Sequence, residues 1–195
     1  MHIMILDTET TGLPDRTGLK GYRENPNPRD FDKYNDCRIV QLCFMYCNDN
    51  LEKINVKNKI IKREGFDITN SSFHGITNEI SDNGYEFNSV IEKFEKYLDK
   101  IDIIIAHNSN FDMCVLKSEL YRRNMLDIIN KIERKIIWCS MLNTENIIKI
   151  KNPSLLQLYK FATKCNIKKQ HDALWDVKNL HKALKILLDN RQIHF

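Results

Sequence analysis

Residues 3–12 read IMILDTETTG: four apolar residues run into two carboxylates, Asp7 and Glu9, separated only by Thr8. A short apolar run bounded by polar residues is the pattern of a central strand, predicted here over 2–6. In extended chain the side chains at i and i+2 leave the same face, so Asp7 and Glu9 point together. Like charges held that close repel, and both lose hydration where a strand end packs into a domain. A compensating charge has to come from elsewhere.

Working outward, residues 13–36 are polar and rich in Pro, Gly and Asn, the composition of a long loop. Its aromatic residues Tyr22, Phe31 and Tyr34 are candidates either for stacking on bases or for packing the loop onto its own domain. Segments 38–47 and 51–61 read as strands paired around the turn Asn48–Asp49–Asn50. Val90, Ile91, Phe94, Tyr97 and Leu98 keep helical spacing, predicting a helix over 88–99. DIIIA at 102–106 is a second short buried strand and leads into HNSNFD and a helix near 111–123. IIWC at 136–139 suggests a third core strand. Helices are predicted over 141–149, 154–165 (with Pro153 at its start) and 172–189. A meander of strands followed by alternating strands and helices predicts an α/β fold. Its mixed sheet would be covered by helices on both faces.

The chain of 195 residues is most simply one domain. No apolar stretch approaches the length of a membrane span, and the start MHIMILD is too quickly acidic for a signal peptide. Six cysteines without a CxxC pair read as free, mostly buried thiols, so an intracellular reducing compartment is expected. No Cys/His cluster has zinc-ligand spacing. The net charge of +4 is unevenly spread: residues 116–170 hold 12 Lys+Arg against 4 Asp+Glu, the balance expected of a polyanionic partner or of a lysine-rich solvated surface.

Two predicted strands lead into carboxylates, Asp7 with Glu9 and then Asp112, and strands ending at one sheet edge share a crevice. Asp112 and Asp176 fall in the first turns of their helices, where acids also suit the helix dipole. Four such carboxylates brought together demand a cation. Hard divalent ions with oxygen ligands fit, and two of them can clamp the attacking and leaving oxygens of a phosphodiester. His171, five residues before Asp176, has an intrinsic pKa suited to taking a proton from water.

DTETTG (7–12), HNSNFD (107–112) and HDALWD (171–176) closely resemble the three motifs of the DnaQ-like, DEDDh-type 3′–5′ exonucleases of the RNase H-like superfamily. FHGIT (73–77), WCSM (138–141) and SLLQLYKF (154–161) agree in order, so the resemblance spans nearly the whole chain. It implies an RNase H-like sheet of five strands, an antiparallel meander followed by parallel strands. It implies two Mg²⁺ or Mn²⁺ ions held by Asp7, Glu9, Asp112 and Asp176, with Asp7 bridging them and His171 as general base. Thr8, Thr10, His74, His107, Asn108 and Phe111 fall at positions implied to line the substrate site, with Thr10–Thr11–Gly12 as a floor under the terminal nucleotide. A histidine that only orients a loop is the competing reading of His74 and His107, and core packing that of Phe111. His2, His181 and His194 match nothing and read as surface residues. The 13–36 loop is longer than compact members of the family need.

The implied activity is metal-dependent hydrolysis from the 3′ end of single-stranded or frayed nucleic acid, DNA favoured, in proofreading or repair. RNA trimming by the same chemistry is the alternative, and a silent nucleic-acid-binding domain a third. Against the third stands the presence of all four acids and the histidine. No polymerase domain or tether is evident in the sequence.

Overall fold

A computed structural model of the chain describes residues 1–21 and 24–195. At its centre is β1 (His2–Thr10), which continues past the predicted end at residue 6 and carries Asp7 and Glu9 within the strand. The extension has a partner: β2 (Ile39–Asn48) runs antiparallel to it, setting Asp7 opposite Cys43 and Glu9 opposite Gln41, with an irregularity after Glu9. β3 (Lys53–Ile60) returns antiparallel to β2 through the predicted Asn48–Asn50 turn, where Asn48 Oδ1 accepts from the amides of Asn50 and Glu52. β4 (Ile103–Ala106) and β5 (Ile136–Cys139) join in parallel, giving the order β3-β2-β1-β4-β5. This is the mixed sheet expected of the RNase H-like exonuclease fold.

β5 is a correction. It is an edge strand and not a core one, with Ile136 and Ile137 exposed where, among the described residues, no strand pairs beyond it.

Eight helices occur among the described residues: α1 (Ser71–His74), α2 (Asn78–Asp82), α3 (Phe87–Leu98), α4 (Ser109–Arg122), α5 (Leu126–Glu133), α6 (Ser140–Ile148), α7 (Leu155–Thr163) and α8 (Ala173–Asp189). α1, α2 and α5 have no counterpart among the predicted elements. α5 is short, and the isoleucines it buries, Ile128, Ile129 and Ile132, lie on one stripe. α4 starts earlier than predicted because Asn108 takes a left-handed conformation (φ 64°) that turns the chain straight out of β4. Pro153 precedes the N-cap of α7 instead of opening it. The cap is Ser154, which accepts from the Gln157 amide while the Gln157 side chain returns to the Ser154 amide.

Alternation along the strands sorts two cores. Met4, Leu6, Leu42, Phe44 and Ile104 face α3, α4 and α5, whereas Ile3, Ile5, Cys43, Met45, Ile103 and Ile105 face α7 and α8. Continued past Leu6, the same parity sends Asp7 and Glu9 toward α8 and Thr8 toward α4. The 13–36 loop is tied onto the end of α4: Arg122 Nη2 donates to the Phe31 carbonyl at 2.7 Å and to Asn35 Oδ1 at 2.8 Å, with its guanidinium over the Phe31 ring. Tyr34 is fully buried and donates to the Pro26 carbonyl, so it packs the loop and is not available for stacking; Tyr22 lies outside the described residues. The six cysteines are free thiols. No helix of the described residues is long and apolar enough to cross a membrane.

Candidate active site

The last β1–β4 register pair is Ile5 with Ile105, so beyond it the chain of β1 has no parallel neighbour and a crevice opens. α8 packs under this edge through Ala173 and Val177, which brings Asp176, in its first turn, to Asp7 and Glu9. Carboxylate oxygens of these three residues lie within 4.8 Å of one another. Asp112 stands apart from that trio. It is buried, and its Oδ1 accepts both the Thr8 amide (3.1 Å) and the Thr8 hydroxyl (2.8 Å). The Thr8 amide lies where β4 has ended, and Asp112 takes the place of the missing ladder partner.

The electrostatics follow from burial without counter-charge. Burial, reinforced by Asp112, Asp176 and Glu9, holds Asp7 well above the usual carboxylate range. Burial and then Asp176, Asp172 and Asp112 push Glu9 up to about 8. Asp112 rises to about 7 through burial, although both Thr8 bonds oppose it. Asp176 rises to about 6 for the same first reason, opposed by the His171 amide and ring. Protons taken up here belong to the set of acids rather than to single residues. Asp176 Oδ1 is buried with no hydrogen-bond partner. A buried, partnerless carboxylate oxygen beside two more acids is the donor set that a hard cation completes.

His171 sits just before α8 in a left-handed conformation (φ 57°), exposed, with its amide donating to Asp176 Oδ2 at 3.0 Å. The histidine and its acid are thus joined through the backbone. Asp172 and Gln41 belong to the neighbourhood although neither was singled out from sequence. Asp172 caps α8 by accepting the Leu174 amide and raises the pKa of both Asp7 and Glu9. Gln41 is buried, accepts the Ala173 amide through Oε1 and donates to Asn58. Both had a signal: Asp172 immediately precedes a helical apolar stripe, and Gln41 is the one uncharged polar residue in RIVQLCFMYC.

Two cavities meet at Ser154 and Leu155. One, of about 430 Å³, is lined by Leu13, Arg16, His107, Asn108 and Pro153 among others. The other, of about 300 Å³, reaches Gln170, His171 and Asp176. The crevice therefore runs from the 13–36 loop, across the start of α7, to the acids. His107 is tied at both ring nitrogens, to Ser140 Oγ (2.9 Å) and the Pro153 carbonyl (3.0 Å), and so pins the wall it lines. His74 accepts the Ile76 amide at Nδ1 and meets Asn70 at Nε2, while Asn70 donates to the Thr10 carbonyl. Burial first, with His171 nearby, holds His74 below the ordinary imidazole range. Both histidines thus hold neighbouring chain in place, and His107 also lines the cavity.

Thr10 donates to the Gly12 carbonyl, and Thr11 bridges Asp36 and Arg38, which closes the end of β1 against the loop. A Cβ on Gly12 would stand 2.7 Å from the Asp36 carbonyl oxygen, so that turn needs glycine. Phe111 is partly buried against the α4-side core and is not among the residues lining the two cavities. Two of the histidines read as surface residues are partly buried and engaged. His2 stacks on Tyr46, and His181 meets the Leu51 carbonyl at 2.7 Å.

Curated protein sequences give no significant match. Solved structures do match in fold. Exonuclease X in complex with 5′-overhanging duplex DNA superposes with a TM-score of 0.64 at 19% identity, over 98% of this chain and 93% of that one. The nuclease domain of 3′hExo, a DEDDh family member bound to rAMP, gives 0.67 at 16% identity, over 97% and 92%. E. coli exonuclease I with a dA16 oligonucleotide gives 0.72 at 15% identity, over 98% of this chain but only 41% of that longer one. The family model described as "Exonuclease" matches residues 4–184, nearly the whole chain and all three acidic motifs. The chain belongs to this RNase T/DnaQ-like, DEDDh family of 3′–5′ exonucleases.

Proposed function

We propose that residues 1–195 form a single metal-dependent 3′–5′ exonuclease domain. It acts on single-stranded or frayed 3′ ends, DNA in preference, and releases nucleoside 5′-monophosphates in proofreading or repair. The observation that carries the reading is the uncompensated acid set, Asp7, Glu9 and Asp176 within 4.8 Å, with the Asp176 Oδ1 atom lacking a partner. Two Mg²⁺ or Mn²⁺ ions, when bound, supply Lewis-acid chemistry at the phosphate and lower the pKa of the attacking water.

The residues that would hold them are Asp7, Glu9 and Asp176, whose carboxylates converge, with Asp112 beside them. His171 then takes the proton of the attacking water, its place at the rim fixed by the bond from its own amide to Asp176. Thr8 orients Asp112 through two bonds to one oxygen. Thr10, His107 and Asn108 shape the end of the crevice that receives the terminal nucleotide, with His74 and Phe111 supporting its walls. Exonuclease I, whose structures hold dA16 and dT13, supports the preference for DNA, at TM-scores of 0.72 and 0.70. RNA trimming is the second reading, because a 3′-exonuclease that recognises a histone mRNA stem-loop shares the fold at 0.67.

The test compares 5′-labelled DNA and RNA of one sequence, single-stranded and duplex, with Mg²⁺, Mn²⁺ or EDTA. A ladder shortening from the 3′ end with either ion, absent in EDTA and faster on single-stranded DNA, is expected. Faster loss of RNA would select the second reading. Binding without cleavage under every condition would remove the enzymatic one.

A further inference from the structure

The basic character of the chain concentrates in one stretch, in which Lys169 is ion-paired with Asp172 and Lys185 with Asp189 just beyond it. Residues 146–188 contain nine lysines and only two acids, Asp172 and Asp176, both at the crevice. In the fold this segment is the end of α6, α7 and α8. α8 buries Ala173, Val177, Leu180, Ala183, Leu184 and Leu187 against the sheet and α7, which leaves Trp175, Lys178 and Lys182 on its outer stripe. Lysines and rings interleave there. Lys178 lies 4.8 Å and Lys169 5.8 Å from the Trp175 ring centre, Lys182 lies 5.6 Å from that of Tyr159, and Lys164 lies 4.8 Å from that of Phe161.

Trp175 is 39% exposed although it is the largest side chain on the helix. This is an open ring beside the Lys178 ammonium, with Lys169 already ion-paired to Asp172 at 3.3 Å. It is the pairing of stacking platform and phosphate-neutralising charge found where single strands track across a protein.

The stripe begins next to Asp176 and runs from Trp175 to Lys182, about 10 Å along the helix axis. Its place relative to the crevice gives it a direction. If the terminal nucleotide occupies the His107–Asn108 end, the rest of the strand leaves past His171 and Asp176, directly onto the start of α8.

We propose that the Trp175–Lys178–Lys182 face of α8, continued by Lys164 at the end of α7, is a docking track for the 5′ body of a single-stranded nucleic-acid substrate. Trp175 stacks on a base and the lysines neutralise successive phosphates. The inference rests on the exonuclease reading of the crevice and adds to it a dependence on strand length and salt.

The test uses the full chain and the double variant Lys178→Gln/Lys182→Gln, both residues lying outside the crevice. Turnover is measured on 5′-labelled dT4 and dT25 with Mn²⁺ at several salt concentrations. Binding of dye-labelled dT25 is measured in EDTA. For the wild type, KM on dT25 should be at least about tenfold below that on dT4. In the variant, KM on dT25 should rise severalfold, kcat and the dT4 constants should stay, and the log–log salt slope of binding should become shallower by about 1.4. Trp175→Ala should weaken dT25 binding about tenfold, and Trp175→Phe should restore most of it.

Equal KM for dT4 and dT25 in the wild type would overturn the track while leaving the exonuclease reading intact. Failure to cleave either oligonucleotide would instead fall on the exonuclease reading. Equal losses on both oligonucleotides in the variant would place the effect in the crevice and overturn the track. Unchanged dT25 binding in the variant, with loss of binding to anionic vesicles, would assign the face to a lipid surface.

Discussion

Two clusters of wholly or partly buried acid sit on the same sheet and are treated in opposite ways. Glu119, on the inner face of α4, is 2% exposed and is held by two arginines: Arg38 donates to it at 2.6 and 3.1 Å, and Arg123 closes the other side. Glu64 joins both guanidiniums from the rim. Burial alone would raise Glu119, yet the arginines hold it below the usual range. Asp7, Glu9, Asp112 and Asp176 lie at the end of the neighbouring strand, and the charges that act on Asp7 and Glu9 are themselves carboxylates. The fold is thus able to neutralise a buried acid with its own side chains. Leaving four acids without such partners is a property of the crevice, and in the proposed function a bound cation would supply what arginine supplies at Glu119. Stability is traded for chemistry at one cluster and not at the other.

The largest expected effect separates the two. Asp7→Asn should lower kcat by about a thousandfold or more, since in the proposed mechanism several kcal/mol of transition-state stabilisation would depend on the ions it helps to hold. The same change should raise the melting temperature in EDTA at pH 8, because it removes a buried charge that has no partner. It should also abolish most of the upward shift that Mg²⁺ or Mn²⁺ gives the wild type. Full activity in a folded Asp7→Asn protein would break the comparison at once.

Glu119→Gln should act in reverse. It leaves the buried Arg38 and partly buried Arg123 with the rim carboxylate of Glu64 alone and should cost about 3 kcal/mol, seen as a lower urea midpoint. Specific activity below the melting transition should be little changed. A neutral effect on stability would mean that the arginine pair is mere surface charge.

The pH dependence should also have opposite signs. A group whose folded pKa is raised contributes stability that is complete below its unfolded value and is lost as pH rises through the folded one. Glu9, moved from 4.5 to about 8, and Asp112, moved from 3.8 to about 7, should therefore make the metal-free protein melt progressively lower between about pH 4 and pH 8. Glu119, moved downward, contributes stability above its unfolded value that is lost only as pH falls through the folded one. Melting curves in EDTA from pH 5 to 8 should fall for the wild type and flatten for Glu9→Gln. A flat wild-type profile would show that the acids are better solvated than their burial implies.

The same contrast explains what the sequence could show. The convergence of Asp7, Glu9 and Asp176 was legible because it is written in local motifs: a DxE on one strand, and acids at fixed offsets from strand ends and helix starts. The mixed character of the sheet, a meander followed by parallel strands, was legible from the run of strand patterns and the resemblance. The Arg38–Glu119–Arg123 cluster was not, since its members are 81 and 85 residues from Arg38 in the chain and no spacing rule joins them. Thr8 was assigned to substrate from its neighbours in the motif, and only the parity of β1 turns it toward α4. The edge position of β5 was hidden for a related reason. Four apolar residues in a row look buried, while exposure depends on whether another strand follows in space.

Thr8 carries the smallest prediction and the finest test of that parity. Its hydroxyl donates to Asp112 Oδ1 at 2.8 Å beside the bond from its own amide. Valine keeps the shape and the amide bond but deletes the hydroxyl, so Thr8→Val removes one hydrogen bond to a charged acceptor and little else. Such a bond contributes about 1.5–3 kcal/mol, part of which the remaining amide bond preserves. If Asp112 must be both ionised and oriented, kcat should fall about tenfold. The acidic limb of the pH–rate profile should move upward, because the lost bond favoured the charged carboxylate. Serine restores the donor and should restore both. A Thr8→Val enzyme with wild-type kcat and an unmoved acidic limb would show that the amide alone holds Asp112. Contact of the hydroxyl with the nucleotide instead would appear as a raised KM with kcat and pH profile unchanged.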